Sequence, residues 1–420
     1  MPDQEIDTLV VGAGQSGIAM SANLTELGIP HIVLERDRIA EAWRTGRWDS
    51  LVANGPAWHD RFAAAQFEDL PPDSFAAKDR VVRYLEDFAR RAEAPVQTGV
   101  EVTAVTQRAG DQGFRVETSA GVWNAMNVVA ATGPFQRPVI PPLVPDLPGV
   151  DQIHSQDYRN PDQLAPGAAL VIGAGSSGTQ IADELARAGR QVYLSVGPHH
   201  RPPRTYRGYD YCWWLGVLGE WDRPTLDPAT AHITIAVSGA HGGETVDFRA
   251  LAHRGITLTG MAENCRGGVM RFAPDLAANI AEGDANYLSV LDRADAYVRQ
   301  HGLDLPQEPE ARLIPPDPFC LSDPIMELDL AEAGIKTILW ATGYALDFGW
   351  LQIDAFRPDG KPDHHRGVSV VPGLYFLGLP WLSRRASSFI YGAWHDARYL
   401  ADHIAQRRGY LAFPPMSARR

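Results

Sequence analysis

Cysteine is scarce in this chain of 420 residues: Cys212, Cys265 and Cys320 are the only three, far apart, and no two form a C-x-x-C pair. A disulfide framework and a cysteine-built zinc site are therefore not expected, and a reducing, cytoplasmic setting fits. Basic charge is also in short supply. Thirty-eight Lys and Arg face 51 Asp and Glu, leaving a net charge of −13. General binding to nucleic acid or to an anionic membrane needs concentrated Lys and Arg, so neither is expected. No apolar run reaches the roughly 18 residues of a membrane span. No signal-peptide pattern opens the chain, because Asp3, Glu5 and Asp7 lead straight into an apolar segment. The His-His pairs at 199–200 and 364–365 lack further ligands in register, so no metal is expected and both pairs read as loop surface. No arrangement of a nucleophile with its base is apparent either.

Glycine is what the chain has in an informative pattern. Residues 10–17 read VVGAGQSG and residues 171–178 read VIGAGSSG. Before the first lies IDTLVV (6–11), a short β-branched run typical of a buried parallel strand. After it, residues 15–27 read as a helix that stops at Gly28, and HIVLE (31–35) reads as a second strand ending in Glu35. Each glycine has a mechanical reason. Gly12 permits the tight turn, Gly14 lets a pyrophosphate approach the backbone, and Gly17 lets helix and strand pack closely. The helix N-terminus then faces the phosphates. Glu35 follows Gly12 by 23 residues, where a carboxylate accepts hydrogen bonds from both ribose hydroxyls and repels a 2′-phosphate. The first loop therefore suits FAD or NAD.

The second loop repeats the frame. AALVI (168–172) is its strand, Gly173, Gly175 and Gly178 its glycines, residues 179–188 its helix before Gly189, and QVYLSV (191–196) the next strand. The acidic position holds Ser195 instead. GPHHRPPR (197–204) then supplies Arg201 and Arg204, and guanidinium groups bind phosphate in a bidentate way. The second loop is accordingly expected to take NADPH. One loop for FAD and one for NADPH imply a flavoprotein that draws hydride from NADPH.

The fold class expected is α/β, with two Rossmann-type dinucleotide-binding domains. A Pro- and Gly-rich stretch (132–149) reads as a linker out of the first domain, and a second crossing is placed near 312–324. The FAD domain is then discontinuous, 1–162 and 325–420, with the NADPH domain, 163–324, inserted into it. Residues 272–302 and 389–409 read as helices, and 367–378 as two short strands around a Pro-Gly turn. The aromatic stretch TYRGYDYCWWLGVLGEW (205–221) is too dense for a plain core element and is read either as packing onto the second domain or as part of a substrate pocket.

Two glycine loops in this order resemble the class B flavin-dependent monooxygenases, which include the Baeyer–Villiger, microsomal-type and YUCCA-type enzymes. Further stretches match. HSQDYR (154–159) resembles the end of their fingerprint, ATG at 131–133 and again at 341–343 their turns at the domain crossings, RWDSLVANGP (47–56) the segment passing the flavin, and PGLYFLGLPW (372–381) the flavin-facing strand. The front half of the fingerprint is missing: Pro148 and Val150 stand where the family has Phe and Gly.

The resemblance implies an FAD-, NADPH- and O2-dependent monooxygenase that forms a flavin C4a-(hydro)peroxide. Its substrate would be a small, flat or aromatic molecule oxygenated at nitrogen, sulfur or a carbonyl. The matching amide of Asn54 would steady the oxygen adduct and is the expected catalytic residue. Around the first loop, Ser16, Arg36, Trp43, Arg47, Trp48 and Val102 would join the glycines and Glu35 in holding FAD, with Thr132, Gly133, Gly378 and Leu379 closing on it from later in the chain. His154, Ser176, Ser177, Ala341, Thr342 and Gly343 would join the second loop, Ser195, Arg201 and Arg204 in holding NADPH. Trp58, Trp213, Trp214, Trp381, Phe389, Tyr391 and Trp394 are the expected pocket residues. A homodimer is left open. Two rivals stand beside this reading: an NADPH oxidase or electron-transfer reductase that does not oxygenate, and a non-enzymatic flavin-based regulator. A disulfide reductase would need a redox cysteine pair, which the sequence lacks.

Overall fold

The computed structural model describes residues 3–109, 113–224 and 234–413. Two sheets with parallel cores organise it, each built on one glycine loop. In the first, the strands run in the order His364–His365, Val368–Ser369, Leu374–Phe376, Gly121–Ala130, Gln4–Val11, His31–Glu35 and Val96–Thr98. The central strand Gln4–Val11 is flanked in parallel by His31–Glu35 and Gly121–Ala130. Its last four residues are fully covered, as expected of a strand with helices on both faces. Helices Gln15–Glu26, Lys78–Arg91 and Ile390–Leu411 supply that cover. A hairpin of Val102–Gln107 and Phe114–Thr118 adds to Gly121–Ala130.

The second sheet runs Ile256–Thr259, Val192–Ser195, Ala168–Ile172, Ile335–Trp340 and Asp151–His154, all parallel. Helix Ser176–Arg187 follows the second loop, and the 26-residue helix Leu276–His301 packs against His199–His200.

This topology moves the expected boundaries. The sequence reading places Asp151–His154 in the first domain, with everything from residue 325, yet both Asp151–His154 and Ile335–Trp340 are strands of the second sheet. The chain crosses where Arg137–Pro138 pairs antiparallel with Tyr344–Ala345. The two connections thus leave and return side by side. One further segment joins the units: Trp48 and Leu51, from the first part of the chain, are buried in the second unit's core with Ile181, Leu185 and Leu339.

Candidate active site

Both glycine loops have the same construction. Gly12 and Gly173 sit at φ of +103° and +112°, which L side chains rarely adopt. A Cβ on Gly17 would lie 1.8 Å from the Gly12 carbonyl oxygen, and one on Gly178 would lie 1.8 Å from that of Gly173. Each loop also leans on an Ala-Thr-Gly turn. A Cβ on Gly12 would lie 2.9 Å from the Ala131 carbonyl oxygen, and one on Gly173 would lie 2.5 Å from that of Ala341. Thr132 and Gly133 are tied by Gln136, whose amide nitrogen donates to the Thr132 hydroxyl and the Gly133 carbonyl at 2.8 Å each. Thr342 donates to the Val139 carbonyl.

The loops differ at the middle glycine, where a pyrophosphate has to approach. Among the described residues nothing lies within 4 Å of a Cβ placed on Gly14. That cradle is open, and it fits FAD. At Gly175 the methyl group of Thr234 lies only 2.7 Å from the built Cβ. Thr234–Ile235 pairs with His199–His200 and runs across the start of helix Ser176–Arg187. The Ser176 hydroxyl donates to the Ile235 carbonyl (2.9 Å) and accepts from the Val237 N–H (3.3 Å), and Gln180 Nε2 donates to the Val237 carbonyl (2.9 Å). The second cradle is strapped over by its own chain. Ser177 beside it is half-buried.

Glu35 stands at the mouth of the first loop and helps build it. Its Oε2 accepts from Ala13 N–H (2.8 Å) and its Oε1 from Asp37 N–H (2.9 Å). Arg36 is exposed and pairs with Asp37, and Val102 sits half-buried at the start of the outer hairpin. Gln15 bridges the loop to two later segments: its Oε1 accepts from Trp43 Nε1 (3.1 Å) and its Nε2 donates to the Ser388 carbonyl (2.9 Å). Gly378, at φ +78°, passes so close to buried Ser16 that a Cβ would lie 2.1 Å from its hydroxyl. Leu379 is buried beyond it in the first core.

The expected NADPH determinants do not survive as such. Ser195 is buried, its hydroxyl donating to the Gly260 carbonyl (2.9 Å) and accepting from Ala262 N–H (3.0 Å). Arg201 is 3% exposed. Its Nε donates to Asp284 (2.8 Å), its Nη1 lies 3.4 Å from Asp247, and it rides over the Tyr287 ring. Arg204 is 1% exposed, held by Asp210 (2.9 Å), the Asn54 carbonyl (2.6 Å) and the Phe75 ring. Neither guanidinium is open to a 2′-phosphate. The physical reason is that both guanidiniums are taken up by carboxylates inside the second unit, Arg201 sharing Asp284 with Arg249 and Arg204 holding Asp210. Nor is His199 loop surface, since it is buried against Phe248.

At the crossing, His154 is 1% exposed. Its Nε2 donates to the Gly343 carbonyl (3.1 Å), its Nδ1 accepts from Gln156 N–H (3.1 Å), and its ring meets Tyr344 edge-on. Burial pulls its pKa down. Arg47 hydrogen-bonds Tyr344 and lies over the Phe135 ring at 4.5 Å. Among the described residues no carboxylate pairs with it, and burial pulls its pKa down as well. Trp48, expected at the flavin, is a core residue of the second unit instead.

Asn54 lies where the units meet. Its Oδ1 accepts from Gln180 Nε2 (3.0 Å) and its carbonyl from Arg204. The seven aromatic pocket candidates separate into four places. Trp213 and Trp214 pack with Tyr206, Tyr209 and Tyr297 against helix Leu276–His301, away from the other five. Trp394 meets Phe62 and Phe88 on the first core. Trp58, Tyr391 and Phe389 converge around His59 and Trp221, which the sequence reading did not single out. Trp381, at φ +56°, is partly exposed beyond Leu379.

The three thiols stand apart, Cys212 and Cys265 buried and Cys320 half-buried, and burial raises the pKa of each. Among the described residues no cluster of His, Cys, Asp or Glu is placed to hold a metal, and no helix is long and apolar enough to cross a membrane.

Residues 9–215 match a family model described as pyridine nucleotide-disulphide oxidoreductase, a span that takes in both loops. An uncharacterized CzcO-like oxidoreductase of Geobacillus kaustophilus is 34% identical over 403 residues, covering 95% of this chain and 98% of its own length. The indole-3-pyruvate monooxygenase YUCCA1 of Oryza sativa subsp. japonica is 33% identical over 248 residues, covering 56% of this chain and 59% of its own. A solved flavin-containing monooxygenase from Stenotrophomonas maltophilia shares the fold, with a TM-score of 0.66 over 96% of this chain and 99% of that one at 18% identity. The twin loops, their matched turns and the full-length relative agree: the chain belongs to the class B flavin-dependent monooxygenase family, in its CzcO-like branch.

Proposed function

We propose that the protein is a monooxygenase that binds FAD on the first loop, takes reducing equivalents from NADPH on the second, and uses O2 to oxygenate a small organic substrate at nitrogen, sulfur or a carbonyl. The open cradle at Gly14, beside an otherwise identical but strapped loop at Gly175, is the observation that carries it. When bound, FAD supplies hydride acceptance and oxygen activation. The chain's own part is to bind, orient and exclude water. Loop amides and the start of helix Gln15–Glu26 face the pyrophosphate, and Glu35 keeps lone pairs for the ribose. Gln15 draws Trp43 and the Ser388 segment together over the loop. Asn54 is oriented through its oxygen by Gln180, which leaves its amide nitrogen to donate toward the reacting oxygen. Arg201 and Arg204 have no part in selecting NADPH over NADH.

The test is turnover. The flavin-loaded protein is mixed with NADPH or NADH under air, against amines, thioethers, ketones and 2-oxo acids, and products are read for one added oxygen. The strap over the second loop favours one alternative, a flavin-binding regulator that does not turn over. Flavin binding with no nicotinamide oxidation under any substrate would establish that alternative.

A further inference from the structure

Five residues beyond Asn54 lies a built polar point that no step above uses. His59 is 5% exposed. Its ring is stacked on Trp221 (4.7 Å between centroids, 23° between planes), lies tilted against Tyr391 (4.9 Å, 34°) and meets Trp58 edge-on (5.5 Å). Its Nδ1 is held by Asp60 Oδ1 at 3.0 Å. The other Asp60 oxygen accepts from Gly55 N–H at 3.0 Å, so the turn that presents Asn54 also fixes this carboxylate. Gly55 is required for it, because a Cβ there would lie 2.3 Å from Asp60 Oδ1. A neutral imidazole carries one ring proton, and Asp60 claims it. Nε2 is left as a bare acceptor, buried and, among the described residues, without a hydrogen-bond partner.

A buried acceptor with no partner costs free energy, and such atoms are rare in folded proteins. Here it is held in place by three aromatic rings and an oriented carboxylate. The cluster reaches the surface at Phe389, which is 42% exposed and touches Trp221 edge-on (5.4 Å). Its neighbour Ser388 is bonded to Gln15 of the first glycine loop.

We infer that His59, oriented by Asp60, is the specificity-determining residue of the substrate site, and that its Nε2 accepts a hydrogen bond from a neutral aromatic substrate carrying a ring O–H or N–H. This rests on the flavin reading of the first loop, which Gln15 ties to the cluster. Asp60 acts through His59 and is a positioning residue.

Calorimetric titration of the oxidised, flavin-loaded protein with 2-naphthol and its methyl ether, without nicotinamide, tests it. The wild type is expected to bind the naphthol about tenfold tighter, the scale of one hydrogen bond to a buried partner. His59→Phe keeps the ring stack and loses the acceptor, and the ratio should fall to about one. Should that variant not fold, Asp60→Asn offers one amide oxygen to two donors, and the ratio should fall part-way. Equal affinity in the wild type, no aromatic binding at all, or an unchanged ratio in the variants would each overturn the inference. A protein that shows the preference but never oxidises NADPH or NADH refutes the monooxygenase reading alone. One that oxygenates without the preference refutes this inference alone.

Discussion

Single side chains at this site are held by partners that dictate what their loss would do. Arg201 illustrates it. Its guanidinium carries Asp284 and stands near Asp247 in the interior. Arg201→Ala leaves that charge to Arg249 alone. Leaving a buried charge wholly uncompensated costs about 3 to 5 kcal/mol, and because Asp284 keeps Arg249 the loss should be smaller, seen as a lowered denaturation midpoint. The NADPH-to-NADH preference should not move, and a selective loss of NADPH affinity in a stable variant would restore Arg201 as a phosphate ligand. Asn54 makes the opposite kind of prediction. Asn54→Ala should keep FAD and still oxidise nicotinamide, but release hydrogen peroxide in place of oxygenated product. Gln180→Ala should give a milder version, because it frees the amide to rotate. Both are read as the ratio of peroxide to product, and unchanged coupling in Asn54→Ala counts against its role.

Elements explain why some of this was legible in the sequence and some was not. A glycine loop, its strand and its helix are neighbours in the chain, so Gly12, Gly14, Gly17 and Glu35 could be placed from spacing alone. The arginines could not, because Arg201 is neutralised by a carboxylate 83 residues further on. Asp151–His154 is short and polar, and only its pairing with Ile335–Trp340 makes it a sheet strand. Trp213 and Trp214 advertised a pocket, yet the helix Leu276–His301 claims them. His59 drew no notice because its meaning depends on Trp221 and Tyr391, both distant in sequence. The strap Thr234–Val237 was equally invisible, and it makes a prediction at this scale. A dinucleotide that seats on the second loop must displace it, and the measured affinity is reduced by the fraction of time the strap is closed. Thr234→Gly removes the methyl from the cradle, so the Michaelis constant for the nicotinamide should fall severalfold. A rise would mean that Thr234 belongs to the bound form.

The whole molecule carries a consistent response to acid. His31, His154 and His199 all have pKa values lowered from 6.5, with burial the largest cause in each. A lowered value in the fold means that the unfolded chain takes up the proton first. The stability these residues allow is therefore complete above about pH 6.5 and is lost as the pH falls below it. The melting temperature should drop between about pH 7.5 and about pH 5.5, and a rise over that interval would contradict the assignment.

The ribbon of Arg137–Pro138 and Tyr344–Ala345 bears on motion as well as on connectivity. A unit tethered by one strand can swivel in any direction. Two strands that are hydrogen-bonded to each other yield more readily to a twist along the ribbon than to bending across it, and the buried Trp48–Leu51 segment adds a third tie. Phe135, Arg47, Tyr344 and His154 are stacked beside the ribbon like shims. On the proposed function, transfer of reducing equivalents from the second loop to the first would turn on the torsional stiffness of this ribbon together with the Trp48–Leu51 segment buried in the second unit's core.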